Sequence, residues 1–174
     1  MNRRRLLLLA ACATPVATLI GCGKSASDEA ALPVEIDETT TCDLDGMLLA
    51  DYPGPKAQVH YVGQVMPVFF CDTVEMFATL LRPEQVRAVR KVFVQDMAKA
   101  SWEQPRGHWF DAKSGFYVVG SKLHGSMGPT IASFAAEPEA KTFATANGGK
   151  VLAFAQVTAD MADLGGGAVH DTRM

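Results

Sequence analysis

The stretch Ala57–Leu81, AQVHYVGQVMPVFFCDTVEMFATLL, changes its hydrophobic period once, and that change sets the fold class. Ala57–Val62 and Val65–Phe70 are rich in β-branched and aromatic residues and are separated by Gly63-Gln64, the pattern of a β-hairpin. Asp72 then offers an oxygen to the free N–H groups at the start of a helix running through Leu81. Glu75, three residues on, is its partner in a capping box. Val74, Phe77, Ala78 and Leu81 recur at helical spacing on one face. Met76 on this helix and Met66 before it read as core filling. Pro83 is suited to open a second short helix through Val89, and Lys91–Gln95 reads as a strand. The order is strand, strand, helix, strand.

The same order returns downstream. Phe116-Tyr117-Val118-Val119, between Gly115 and Gly120, is a strand, and Pro129–Phe134 is a second. Glu137–Ala146 has helical character and ends at Asn147-Gly148-Gly149, residues that tolerate positive φ. Lys150–Val157 is a third strand, followed by a short helix over Ala159–Leu164. Between the halves, Ser101–Ser114 reads as a loop holding Trp102, His108 and Trp109. Residue identity between the halves is slight, so a duplication is inferred from the order of elements. The expected fold is α+β, with two similar ββαβ units forming one compact mature protein. The first unit spans 42–100 with a metal-binding loop, the second 101–164, and a flexible tail 165–174.

The N-terminus sets the compartment. Three arginines in Met1–Arg5 precede an apolar run from Leu6 to Gly21, shorter than the roughly 20 strongly apolar residues of a membrane span. That is the pattern of a secretory signal. The run ends Leu19-Ile20-Gly21-Cys22, which has the form of a bacterial lipobox, so residues 1–21 are read as a lipoprotein signal peptide and Cys22 as the lipid attachment point. Residues 22–41 lack a hydrophobic period and read as a lipid-anchored flexible tether. Cleavage removes three of the 16 basic residues and none of the 19 acidic ones, leaving a mature charge of −6. An acidic chain without basic runs excludes nucleic acid as a natural partner. The lipid, not a polybasic patch, holds the chain at its membrane.

With Cys12 in the signal and Cys22 lipidated, Cys42 and Cys71 remain for the folded part. In an oxidising compartment they could pair. The sequence around the first points elsewhere: Cys42-Asp43-Leu44-Asp45-Gly46-Met47 places a thiol and a thioether in one short loop, and soft donors select Cu(I) over hard ions. In His124-Gly125-Ser126-Met127-Gly128-Pro129, Met127 lies in a polar glycine loop unsuited to ordinary core, with His124 three residues before it. Cys71, at a strand end, reads first as a buried structural thiol; Met97 and the tail His170–Met174 are weaker candidates. Asp43 and Asp45 read as solvated. His60, His108, His124 and His170 are too scattered for a structural zinc cage, and no phosphate loop, His-Glu-x-x-His or nucleophile elbow is present.

These pieces together resemble the NosL family. The matching segments are the lipobox at Cys22, Cys42-x-x-x-Gly46-Met47, Gly54-Pro55-Lys56-Ala57-Gln58, Phe70-Cys71-Asp72-Thr73-Val74-Glu75-Met76-Phe77 and Val94-Gln95-Asp96-Met97. Gly125-Ser126-Met127-Gly128-Pro129 and Gly148-Gly149 complete them. The resemblance covers essentially the whole mature chain. It implies a periplasmic, lipid-anchored protein, with the outer membrane as the expected bilayer, that binds one Cu(I). Its copper would go to the copper centres of nitrous-oxide reductase, in concert with an ABC-type maturation complex. It implies Cys42 as the anionic ligand and Met47 and Met127 as thioether ligands, with a histidine companion that it does not single out; His124 is a candidate from its own loop alone. It implies binding and handover in place of catalysis.

Three other readings stay open at this level. A thiol-redox or generic periplasmic binding lipoprotein would carry a Cys42–Cys71 disulfide. A heavy-metal enzyme similar to organomercurial lyase would need paired cysteines beside a carboxylate. A structural subunit of a larger complex would bind no metal.

Overall fold

The computed structural model describes residues 31–164. The expected signal peptide, Cys22, the start of the tether and the 165–174 tail lie outside that range.

Two antiparallel sheets carry the chain. The first unit contributes β1 (Ala57–Tyr61), β2 (Val68–Phe70), α1 (Thr73–Leu80) and β3 (Val89–Gln95). A fourth strand, β4 (Trp109–Asp111), extends its sheet to the order β2-β1-β3-β4. The second unit contributes β5 (Phe116–Val119), a small hairpin of β6 (His124–Gly125) and β7 (Gly128–Pro129), then β8 (Ala132–Phe134), α2 (Glu137–Asn147) and β9 (Lys150–Ala153). Its sheet runs β8-β5-β9. In both units the first strand lies between the second and the last, so the repeat suspected from element order is present in the topology. No helix among the described residues is long and apolar enough to cross a membrane.

The two units share one core. Ala57, Val59 and Tyr61 alternate onto the face of β1 that meets α1. There Phe77 packs edge-to-face on Tyr117 with ring centroids 5.0 Å apart and lies 5.1 Å from Phe154. Ile131, Leu152 and Val157 of the second unit join the same cluster. A second cluster, Met97, Val118, Ala132, Phe134 and Ala140, packs under α2, with Trp102 stacked on Phe143 at 5.5 Å. The other face of β1 is polar yet buried: Gln58 exchanges two hydrogen bonds with the backbone of Val34, and His60 lies 3.0 Å from the Gln58 amide oxygen.

That contact shortens the tether. From Val34 onward the expected flexible segment is docked: Ile36 is buried, Glu35 accepts from the Trp109 indole, and Glu38 pairs with Arg106. The sequence of this stretch lacks a period because it is irregular chain, with a turn closed by Asp37, Thr39 and Thr40, anchored mainly by backbone and carboxylate hydrogen bonds.

Other expectations are corrected. No helix forms over Pro83–Val89; Gln85 folds its amide onto the backbone of Arg87, and the Arg87 guanidinium lies 3.5 Å over the Tyr61 ring. Met66 is exposed at the hairpin tip, because the strand expected from Val65 begins only at Val68; Met76 is fully buried as expected. The Ser101–Ser114 loop contains β4. Lys150–Val157 leaves the sheet after Ala153 as a short 3-10 turn, and Ala159–Ala162 is likewise 3-10.

Candidate metal centre

Asp72 caps α1 through its side chain, accepting from the Val74 N–H at 3.0 Å. The Asp72 side chain bonds the Val74 N–H and not that of Glu75, so the reciprocal box is not closed, although the Asp72 N–H still acts on the Glu75 carboxyl. Glu75 Oε2 receives two thiols: Cys71 Sγ lies 3.1 Å away and Cys42 Sγ 3.3 Å away. Cys71 stands just before the N-cap Asp72 and Glu75 lies in the first turn of α1, and the bend at Cys71 brings its sulfur back onto the Glu75 carboxyl.

Cys42 arrives from a separate loop, closed by its own backbone. The Cys42 N–H donates to the Met47 carbonyl and the Gly46 N–H to the Cys42 carbonyl, with Gly46 at φ 78°, where a glycine is favoured. The Asp43 N–H donates to the Phe69 carbonyl and pins the loop beside β2. Asp45 braces the turn by accepting the Met47 N–H, while its other oxygen lies 3.9 Å from Cys71 Sγ. One donor atom each from Cys42, Asp45, Cys71 and Glu75 thus lies within 4.8 Å of every other. Both cysteines are free and buried, so the alternative Cys42–Cys71 disulfide is not formed.

A buried cation underlies the group. Lys56 Nζ donates to the carbonyls of Cys71 and Pro53, each at 2.9 Å. Burial lowers its pKa to about 8, against the pull of Asp72, Cys71, Glu75 and Cys42. Burial raises Asp72 to about 6, opposed by its hydrogen bonds from Thr130 and Val74 and by the Lys56 charge. Burial also raises Glu75, opposed first by the two thiol contacts. The adjoining Cys42 sulfur, and then burial, push the Cys71 thiol far above the ordinary thiol range. One oxygen of Glu75 and one of Asp72 are buried without a hydrogen-bond partner.

The β6–β7 hairpin closes the other side. Ser126 Oγ donates to the Cys71 carbonyl at 2.7 Å and lies 3.2 Å from Cys71 Sγ. Thr130 Oγ1 donates to Asp72. Gly125 makes the approach achievable, since a Cβ there would fall 2.0 Å from Asp72 Oδ2 and 3.0 Å from Thr130 Cβ. Gly125→Ala should therefore destabilise the protein by about 1–3 kcal/mol, the usual range for forced overpacking, read as a lower urea midpoint. An unchanged midpoint would mean that Asp72 moves freely.

The four residues expected at the site fall at different depths. Cys42 is at its centre. Met47 is half-buried in the cluster that holds Cys42, Cys71, Ile36, Leu49, Phe69 and Trp109. Met127 stands at the hairpin turn next to Ser126, 39% exposed. His124 is exposed at the start of β6, where its carbonyl accepts from the Trp102 indole. Sequence reasoning undervalued Cys71, Glu75 and Asp45. The available signal was the four-residue spacing of Cys71 and Glu75, which the capping-box reading obscured.

Two sulfurs and two carboxylate oxygens at this separation form a set able to hold a thiophilic ion. The arrangement also meets the geometric demand of the heavy-metal enzyme reading, paired thiols beside a carboxylate.

The NosL family model matches residues 33–162. The chain is 39% identical over 159 residues to the copper-binding lipoprotein NosL of Stutzerimonas stutzeri, covering 88% of this chain and 83% of the relative. It is 37% identical over 161 residues to the copper-binding lipoprotein NosL of Achromobacter cycloclastes, covering 90% and 81%. The crystal structure of the copper chaperone NosL from Shewanella denitrificans aligns with a TM-score of 0.72 at 37% identity, over 75% of this chain and 98% of that one. With a family match over most of its length, and with relatives and a solved structure agreeing on the same assignment, the chain belongs to the NosL family.

Proposed function

We propose that this protein binds one Cu(I) at the cluster centred on Cys42 and Cys71, and passes the ion on by ligand exchange. Its destination is the copper centres of nitrous-oxide reductase, reached with an ABC-type maturation complex, from a lipid anchor at Cys22 in the periplasm. The observation that carries this reading is the convergence of two free thiols from separate segments, their sulfurs within 4.8 Å. The copper-binding names of the relatives point the same way. Thiolate is the strongest soft donor available, and thioether and imidazole complete a soft set. Met47 lies against the thiols, while Met127 and His124 sit on the hairpin whose Ser126 touches Cys71.

Handover follows from the same layout. Cys42 is buried, but the residues after it, Asp43–Gly46, are exposed. Moving this loop uncovers the ion to an incoming sulfur or imidazole, and the donor's ligands leave in turn. Asp43 and Asp45 present negative charge to a cationic partner loop. Met127 at the rim suits a first or last contact.

An X-ray absorption spectrum of the Cu(I)-loaded protein tests the site by counting neighbours: two or more sulfurs are expected, and a shell of nitrogen and oxygen alone would reject the assignment. The pH dependence is also defined. Because the Cys71 pKa is raised, its thiol keeps its proton through the neutral range in the metal-free protein, whereas the metal-bound form must lose it. Affinity should then climb as pH rises from 6 to 8, by about tenfold per unit for each proton released. A chelator competition at several pH values measures this, and a flat profile would remove Cys71 from the ligand set.

One observation favours a second reading, cleavage of a carbon–mercury bond: the thiol pair lies beside Glu75 and Asp45. Incubation with phenylmercuric acetate decides it, since benzene release would establish the activity and simple mercury retention would leave the protein a binder.

A further inference from the structure

At the end of the first sheet beyond Tyr61 and Val68, an apolar tip stands in solvent. The β1–β2 turn and the segment between α1 and β3 meet there. The Val62 N–H donates to the Ala88 carbonyl at 2.9 Å, Arg87 Nη2 to the Gln64 side chain at 2.7 Å, and Gln85 Nε2 lies 3.5 Å from the Tyr61 hydroxyl. Together they hold up Val62, Val65, Met66 and Val86 as exposed apolar side chains, Val65 being 92% and Val86 89% exposed. Arg87, next to Val86, is exposed with its guanidinium held over the Tyr61 ring and on Gln64, and Arg82 and Glu84 are exposed four and two residues before Val86.

Burial elsewhere makes this tip unusual. The chain has a net negative charge, yet Val65 and Val86, the two most exposed large aliphatic side chains among the described residues, stand beside Arg87. Aliphatic side chains beside guanidinium groups suit the boundary between acyl chains and anionic headgroups. We propose that this tip docks on the surface of an anionic bilayer. The proposal rests on the reading of Cys22 as the lipid anchor. From Cys22 to Pro33, before the docked segment begins at Val34, the chain has twelve residues. Extended, they reach at most about 40 Å. The anchor thereby keeps the tip close to the membrane, where weak contacts are reinforced by effective concentration.

The orientation has a functional result. The metal cluster adjoins the Ala57–Phe70 end of the β1–β2 pair, while the tip lies beyond Tyr61 and Val68. The four steps of β1 from Ala57 to Tyr61 span about 14 Å. A tip seated on lipid turns the thiols toward the aqueous side, where a soluble acceptor can reach them.

The test uses the mature lipidated protein reconstituted into phosphatidylglycerol-containing or pure phosphatidylcholine vesicles, read by amide hydrogen exchange. Slower exchange at 62–66 and 82–88 in the anionic vesicles alone supports the proposal. Arg82→Gln should reduce that protection by about fivefold, the contribution of one arginine near such a surface, and Arg87→Gln likewise once its vesicle-free exchange is subtracted, since Arg87 also holds the tip through Gln64 and Tyr61. Val65→Asp with Val86→Asp should abolish it while tryptophan fluorescence reports an intact fold. Equal exchange in both vesicle types overturns the proposal. So does protection that appears only with protein-containing native membranes, or that rises with protein concentration in solution; these point to a protein partner and to self-association. Mass spectrometry separately checks the lipid on Cys22. If the lipid is missing, the anchor reading fails, and the same comparison with added vesicles still decides the tip.

Discussion

Replacing Cys42 by serine should lower Cu(I) affinity by about a thousandfold, or about 4 kcal/mol, while leaving the fold intact. The serine hydroxyl stays protonated and is a hard donor, so both the charge and the softness of the ligand are lost. The loop itself is held by the backbone bonds of Cys42 to Met47 and Gly46 and of Asp43 to Phe69, none of which uses the sulfur. Cys71→Ser should give a loss of similar order, because its thiol shares the same Glu75 oxygen. Met127→Leu should weaken binding less than either, since a neutral thioether at an exposed turn contributes less than a buried thiolate. A competitive titration against a Cu(I) chelator orders the three. Unchanged affinity in Cys42→Ser would overturn the centre as drawn, and a large effect confined to Met127→Leu would move it outward to the hairpin.

The second large effect is on stability. Phe77→Ala should cost about 3–5 kcal/mol, the range for truncating a buried phenyl ring. Phe77 is contributed by the first unit but packs on Tyr117 and Phe154 of the second, so its loss loosens both. The expected behaviour is one cooperative urea transition, shifted to lower midpoint, in which both units unfold together. The two tryptophans make this measurable: Trp102 stacks on Phe143 of α2, and Trp109 lies in β4 of the first sheet. Trp102→Phe and Trp109→Phe backgrounds should give coincident curves. Two separated transitions would show that the units are independent domains.

Much of this architecture was legible in residue order. The single change of period between Phe70 and Val74 marked the passage from hairpin to helix, and its echo between Phe134 and Glu137 marked the second unit. What periodicity could not reveal was pairing across distance. β4 is three residues of half-buried Trp109-Phe110-Asp111, whose strand character comes from lying beside Phe93–Gln95. Residues 34–41 looked like tether because a single buried side chain, Ile36, makes no period, and the rest of their anchorage is polar contact with the Gln58 amide and through the Glu35 and Glu38 carboxylates, which has no hydrophobic signature. At the site, Cys42 and Met47 were legible because they fall in one short loop. Glu75 satisfied a capping pattern equally well, and only folding showed that it takes part in both, with the Asp72 N–H acting on its carboxyl and the two thiols on its Oε2.

Glu75 and Cys71 are sealed from water above the Lys56 ammonium, and this constrains which cargo is cheap to admit. On the proposed reading, a cuprous ion entering as one thiol proton departs leaves the enclosed charge unaltered, an electroneutral swap. A zinc ion keeps the same balance only if two protons depart, so a second buried thiol, or the Glu75 carboxyl, must ionise with the first in a poorly solvated interior. Discrimination between monovalent and divalent ions would then arise from electrostatic parity as well as from donor softness. Calorimetry in buffers of differing ionisation enthalpy should count fewer protons expelled by the cuprous ion than by zinc.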